Sequence, residues 1–162
     1  MSESAVLTEL EIRREAARQM GGAEAVAKWH AKGRMTARER IAAFVDDGSF
    51  HELGMLTGKG RYTPDGHLID FTPASSVMGN GDVEGRTLMV VADDFTLRGG
   101  SSEGAVSDKW IYAERMALEF RMPLVRFVDS VGGSVKILEQ AGRTKIPGYV
   151  LWPSTALMGA VP

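Results

Sequence analysis

The chain has 162 residues, 44% hydrophobic and 25% charged, the balance of a folded globular protein with a single core. Its formal net charge of −2 gives no general basic surplus for nucleic acid or an anionic membrane. It has no cysteine, which excludes disulfides, thiolate metal sites and a cysteine nucleophile.

The opening MSESAVLTELEIRREAARQM mixes acids with bases and lacks the apolar centre of a signal peptide. No apolar run reaches the roughly 20 residues that span a bilayer. Residues 6–30 read as helix, with Leu7, Leu10, Ala17 and Met20 on one face. Gly21-Gly22 interrupts it, and a second short helix carries Ala25, Val26 and Trp29. A break at Gly33 follows. Thr36 is then placed as an N-cap, with Glu39 completing a capping box, and the helix presents Ala37, Ile41, Phe44 and Val45 to a core. Residues 50–57 read as a short strand. The Gly-, Pro- and Asp-rich stretch 58–73 reads as a long loop.

Residues 77–83 are strand-like, Glu84-Gly85-Arg86 marks a turn, and Leu88 to Ala92 is a buried strand. A glycine loop, FTLRGGSSEG, leads into a helix over 104–121 that Met122-Pro123 stops. Leu124 to Val128 is a second buried strand. A second glycine loop follows it, with a helix expected at 134–142 and a strand at 149–152. From Leu88 onward this alternation predicts α/β layering.

Both glycine loops sit between a strand and a helix. Gly-Gly admits close approach of a ligand, and a helix start offers amides to a phosphate or an oxyanion. In the first loop Arg98 adds charge beside Gly99, Gly100 and Ser101. In the second, Gly132 and Gly133 can aim two amides at one oxygen, the geometry of an oxyanion hole. A plain tight turn needs the same small residues, so each loop alone leaves both readings open. Loops on consecutive strand ends should face one edge of the sheet, where ligands of α/β layers bind. The first loop has neither the Gly-Lys-Ser/Thr of a Walker A loop nor a dinucleotide fingerprint. His30, His51 and His67 have no metal-ligand spacing, and no G-x-S-x-G elbow supports a hydrolase triad. Trp29, Trp110 and Trp152 read as core or interface residues, and Arg38 and Arg40 as paired or solvated on their helix.

Taken in order, MTARERIAAFVDDGSFHELG, VMGNGDVEGRTLMVVADDFTLRGGSSEG and KWIYAERMALEFRMPLVRFVDSVGG resemble the N-terminal portion of the carboxyltransferase (β) subunit of biotin-dependent acyl-CoA carboxylases. This is the propionyl-CoA, acetyl-CoA and methylcrotonyl-CoA carboxylase group, and the resemblance runs from Arg34 to Gly148. It implies an α/β, crotonase-like fold of repeated ββα units. Residues 1–33 would form an N-terminal helical segment, and 34–162 part of the acyl-CoA-binding domain.

The implied chemistry moves CO2 from carboxybiotin to the α carbon of a short acyl-CoA through an enolate. The Gly132 and Gly133 amides would hold that enolate. Arg98, Gly99, Gly100 and Ser101 would lie along the CoA, and Lys109 would help neutralise its phosphates. No metal is implied in this segment. Biotin would arrive on a carrier protein or biotin carboxylase partner, and the subunit would assemble as a hexamer. Val131 stands where the family usually has Gly, and Ser134 where it often has Arg, which bears on substrate choice and loop path.

The closing LMGAVP lies in an apolar stretch, so the chain is expected to be part of a larger one and inactive alone. Two alternatives share the motifs: a biotin-dependent decarboxylase running the transfer in reverse, and a non-catalytic acyl-CoA-binding or assembly module. The expected compartment is the bacterial cytoplasm, with the mitochondrial matrix as alternative.

Overall fold

In the computed structural model of this chain the described residues are 3–101, 109–132, 139 and 158–162. Two helices open it, α1 (Glu3–Gln19) and α2 (Ala23–His30), broken where the glycine pair falls. Ala17 and Trp29 are buried, but Leu7 is 55% exposed, so the apolar stripe of α1 is narrower than its spacing suggests. Gly21 does more than end a helix. A Cβ there would lie 2.1 Å from the Thr96 carbonyl oxygen, so the chain can turn against that backbone only at glycine.

α3 (Ala37–Phe44) begins with the expected capping box. The Thr36 hydroxyl accepts from the Glu39 amide at 3.3 Å, and the Glu39 carboxylate accepts from the Thr36 amide at 2.7 Å. The Thr36 amide, and behind it His30, holds the Glu39 carboxyl below its ordinary range. Ala37, Ile41 and Val45 turn inward as their spacing predicts.

β1 (His51–Leu53) is shorter than the strand expected over 50–57. A turn cuts it off, with the Thr57 amide donating to the Gly54 carbonyl at 3.0 Å. The larger correction comes next. Residues 58–73 are not a long loop but a hairpin of β2 (Gly58–Tyr62) and β3 (Leu68–Pro73). Its turn closes through Thr63, whose amide donates to the His67 carbonyl at 2.9 Å. The hairpin is supported by packing rather than by its own apolar content. Phe71 is buried, and the Arg13 guanidinium of α1 lies 5.1 Å above its ring and also donates to the Tyr62 hydroxyl.

β4 (Ser76–Val83) and β5 (Arg86–Asp93) pair antiparallel across the expected turn. After β5 come the first glycine loop, α4 (Lys109–Phe120) and β6 (Leu124–Phe127). The main sheet runs β1-β4-β5-β6, and only β5 and β6 are parallel. β5 is buried on both faces. Leu88, Val90 and Ala92 meet α3, while Met89 and Val91 meet Ala113 and Ala117 of α4. This helix–sheet–helix sandwich is the mixed α/β layering expected, and full burial of a Val or Met side chain contributes about 1.5–3 kcal/mol. Residues 158–162 return beside β6, where the Leu124 amide donates to the Pro162 carbonyl at 3.0 Å. The expected helix at 134–142 (apart from residue 139), the strand at 149–152, residues 104–108 of the preceding helix, and Trp152 lie outside the described residues.

Candidate functional site

Because β5 and β6 are parallel neighbours, their C-terminal ends deliver both glycine loops to the same edge of the sheet. The loops then bond to each other. The Val131 amide donates to the Gly99 carbonyl at 2.9 Å, and the Ser130 hydroxyl donates to the Gly100 carbonyl at 2.8 Å. This contact needs bare backbone. A Cβ on Gly100 would stand 2.5 Å from the Asp129 carbonyl oxygen, and one on Gly99 would press on Val131 at 3.1 Å.

The first loop is a left-handed turn. Arg98, Gly99 and Gly100 have φ of 51°, 67° and 66° in succession. For Arg98 that backbone costs about 1–2 kcal/mol. The turn uses its own donors: the Gly99 amide bonds to Phe95, Gly100 to Leu97 and Ser101 to Arg98, at 3.1, 2.9 and 3.3 Å. These three amides are therefore not open to an anion. The loop presents backbone surface, with the exposed Arg98 side chain beside it, while Gly100 and Ser101 are buried.

The second loop starts at Asp129, whose amide donates to an Asp93 carboxylate oxygen at 3.3 Å. Arg40 reaches from α3 to the bases of both loops. Its Nη2 donates to the Asp93 carbonyl at 2.9 Å and lies 3.5 Å from the Asp129 carboxylate. Arg34 flanks the same carboxylate at 3.8 Å, and Arg126 pairs with Asp93 at 3.6 Å. Gly132 is exposed with φ 85°, and its amide donates to the Ser130 hydroxyl at 3.0 Å. Gly133 lies outside the described residues.

Besides Asp93, which is itself buried, two further buried ionisable groups stand beside this edge. Asp94 follows β5 and is 1% exposed. One of its oxygens accepts from the Thr96 amide and hydroxyl at 3.0 and 2.5 Å, while Oδ2 is buried without a hydrogen-bond partner among the described residues. Burial holds this carboxyl above its ordinary range, against the pull of Thr96, Arg38 and Arg40. Lys109, expected as a phosphate partner, is 7% exposed and its ammonium donates to the Ser76 carbonyl at 2.9 Å. Burial pushes it down to about 8. Arg38 is paired, but off its own helix: it forks onto Glu52 of β1 at 2.7 and 3.0 Å and donates to the Ala17 carbonyl. Trp29 is buried and stacked on Phe95 at 4.3 Å; Trp110 packs beside the α4 core under Arg126.

The structure thus brings Arg98, Gly99, Gly100, Ser101 and Gly132 to one edge and places Lys109 in the interior. Sequence reasoning passed over Ser130, which joins the loops, and Arg40's reach to both loop bases. The acidic pair Asp93-Asp94, closing an otherwise apolar strand, was the available signal for a charged cluster there.

The carboxyl transferase domain family matches residues 28–150. The chain belongs to this family. A carboxyltransferase relative from Haloferax mediterranei, named a propionyl-CoA carboxylase carboxyltransferase subunit, is 33% identical over 96% of this chain and 30% of its own length. The Veillonella parvula methylmalonyl-CoA decarboxylase subunit alpha is 35% identical over 88% of the chain and 28% of its own length. A solved structure of transcarboxylase 12S, with hydrolysed methylmalonyl-coenzyme A bound, superposes with a TM-score of 0.76 at 30% identity, covering 98% of this chain and 30% of that one. The chain therefore spans about 30% of the length of these carboxyltransferase relatives.

Proposed function

We propose that this chain forms part of the acyl-CoA-binding half of a biotin-dependent carboxyltransferase, and that β4, β5 and α4 make one ββα unit of a crotonase-like fold. The observation that carries the reading is the mutual bonding of two glycine loops at one parallel-strand edge, in a chain of the carboxyl transferase domain family. The acyl-CoA lies along the first loop at Arg98 and Gly99, with Gly100 and Ser101 buried behind them. With the loop amides spent internally, the contact there is van der Waals packing on bare backbone plus the charge of Arg98.

In this reading the thioester oxygen is held by the Gly132 and Gly133 amides, the Gly132 N–H dividing its bond between that oxygen and the Ser130 hydroxyl, and they stabilise negative charge as the α carbon loses its proton. Biotin, brought by a carrier or biotin carboxylase partner, supplies the carboxyl group and the proton acceptor. This chain's residues bind the CoA thioester, orient it and hold its oxygen. Full activity belongs to the longer, oligomeric subunit, a hexamer in this reading. The reverse reaction, decarboxylation, is a second reading favoured by the 35% identity to the methylmalonyl-CoA decarboxylase subunit, and it uses the same enolate.

Calorimetric titration with propionyl-CoA and free CoA tests the proposal, once circular dichroism shows a folded chain. Saturable binding is expected, with the thioester weakened by Gly133→Pro in a still-folded protein. A folded chain that binds neither ligand contradicts it. Tighter binding of methylmalonyl-CoA than of propionyl-CoA would favour the decarboxylase reading.

A further inference from the structure

Ser130 holds both loops at once. Its hydroxyl has a single proton, and that proton is committed to the Gly100 carbonyl of the first loop at 2.8 Å. A lone pair of the same oxygen therefore faces the Gly132 amide, 3.0 Å away. Beside it the Val131 amide is bonded to the Gly99 carbonyl, so two successive residues of the second loop take their direction from the first. Among the described residues nothing else bonds the Gly132 amide, and no heavy atom lies within 4 Å of the position its Cβ would occupy. An exposed amide on a glycine free of side-chain packing samples many orientations unless something fixes it. The donors that make oxyanion stabilisation effective are those already aimed before the charge develops.

We propose that Ser130 is a positioning residue for the Gly132 amide. Through its bond to Gly100, it also makes the aim of that amide depend on the loop that carries the CoA. The claim rests on the reading of Gly132 as a thioester donor given above. A ligand lying on Arg98 and Gly99 steadies the turn that holds the buried Gly100 carbonyl, the carbonyl fixes the hydroxyl rotor, and the rotor fixes the amide. The N–H is then shared between the hydroxyl and the thioester oxygen. Binding of the nucleotide part and stabilisation of the acyl part are coupled through one side chain. An ordinary serine turn, whose hydroxyl bonds only an amide two residues ahead, carries no such link to a second loop.

The test uses the chain with Ser130→Ala and Ser130→Thr, each shown to be folded by circular dichroism, and takes two readouts. The first needs no ligand. Amide hydrogen exchange at Gly132 is expected to quicken about tenfold in S130A and to return in S130T, the scale of one lost hydrogen bond. The Gly99 and Gly100 amide resonances should shift with it. The second is the affinity ratio of propionyl-CoA to free CoA, expected to fall about tenfold in S130A and recover in S130T. Unchanged exchange at Gly132, or a change that threonine does not restore, overturns the proposal. A thioester preference that rises in S130A also overturns it, because the hydroxyl would then be competing with the ligand. If the wild type binds no CoA ligand, the acyl-CoA reading falls. The exchange readout then decides by itself whether Ser130 sets the Gly132 amide.

Discussion

The two glycine loops look alike in sequence, yet they are held differently. The first is rooted from behind by the N-terminal helices and by the bend at Ser75 that links β3 to β4. The Gly21 amide donates to the Thr96 hydroxyl at 3.0 Å, that hydroxyl donates on to Asp94, and Trp29 stacks on Phe95. The Ser75 hydroxyl donates to the Ser101 carbonyl at 3.0 Å. The turn's own amides are bonded within it. The second loop has a charged base, Asp129 among Arg34, Arg40 and Asp93, and beyond that it rests on the first loop. Val128 and Val131 are 70% and 62% exposed. The difference teaches a division of labour. The first loop, bonded from several sides, is the frame, and the second leans on it; in the proposed reading its Gly132 amide, shared with the Ser130 hydroxyl, meets the ligand.

That contrast can be broken at its root. Gly21→Ala puts a methyl group into the Thr96 carbonyl and should cost about 3 kcal/mol, read as a lower Tm. The first loop should lose order with it, and the second should follow because it leans on the first. A comparable Tm loss with both loops' amide resonances unmoved would separate the helices from the site.

Next in size is a pH effect on the first-loop side, where Lys109 bonds to Ser76. Its folded-state pKa of about 8 lies below the ordinary lysine value of 10.5, so between these values the unfolded chain binds more protons. Stability should therefore rise with pH across that window, by on the order of 2 kcal/mol. Lys109→Met should flatten the rise and leave the protein at least as stable at pH 7. Denaturant midpoints at pH 7 and pH 10 check both statements.

The smallest effect belongs to the second loop's base. Arg40→Ala removes the bond to the Asp93 carbonyl and one partner of Asp129, and should cost about 1.5 kcal/mol in denaturant unfolding. Amide resonances at 129–132 should move more than those at 98–101, because the first loop keeps its own internal bonds. Equal movement in both would show that Arg40 braces the frame rather than the dependent loop.

What the sequence made legible follows from how local each signal is. Thr36 and Glu39 are three residues apart and form their capping box unaided by the rest of the fold. The apolar run Leu88 to Ala92 could only be a strand covered on both faces, and it is. The hairpin at 58–73 was misread because its strands hold glycines, charges and a proline. Its support comes from Arg13, some 50 residues upstream in the chain, lying over Phe71 and bonding Tyr62. Gly21 was legible as a helix break, but its steric role depends on Thr96, across the fold. Lys109 was placed by a motif position, whereas its burial depends on β4 supplying a carbonyl. The glycine loops were legible as a pair on one edge. That the first loop's amides turn inward, and that Ser130 ties the loops together, is set by three-dimensional contact alone.

The most direct test of the central claim, that the joined loops form the acyl-CoA edge, is amide chemical-shift mapping of the folded chain during titration with propionyl-CoA. The account predicts saturable shifts concentrated at Arg98 to Ser101 and at Ser130 to Gly132, with the β2–β3 hairpin silent. Shifts confined to the hairpin or to α1, with both loops unmoved at saturation, would contradict it.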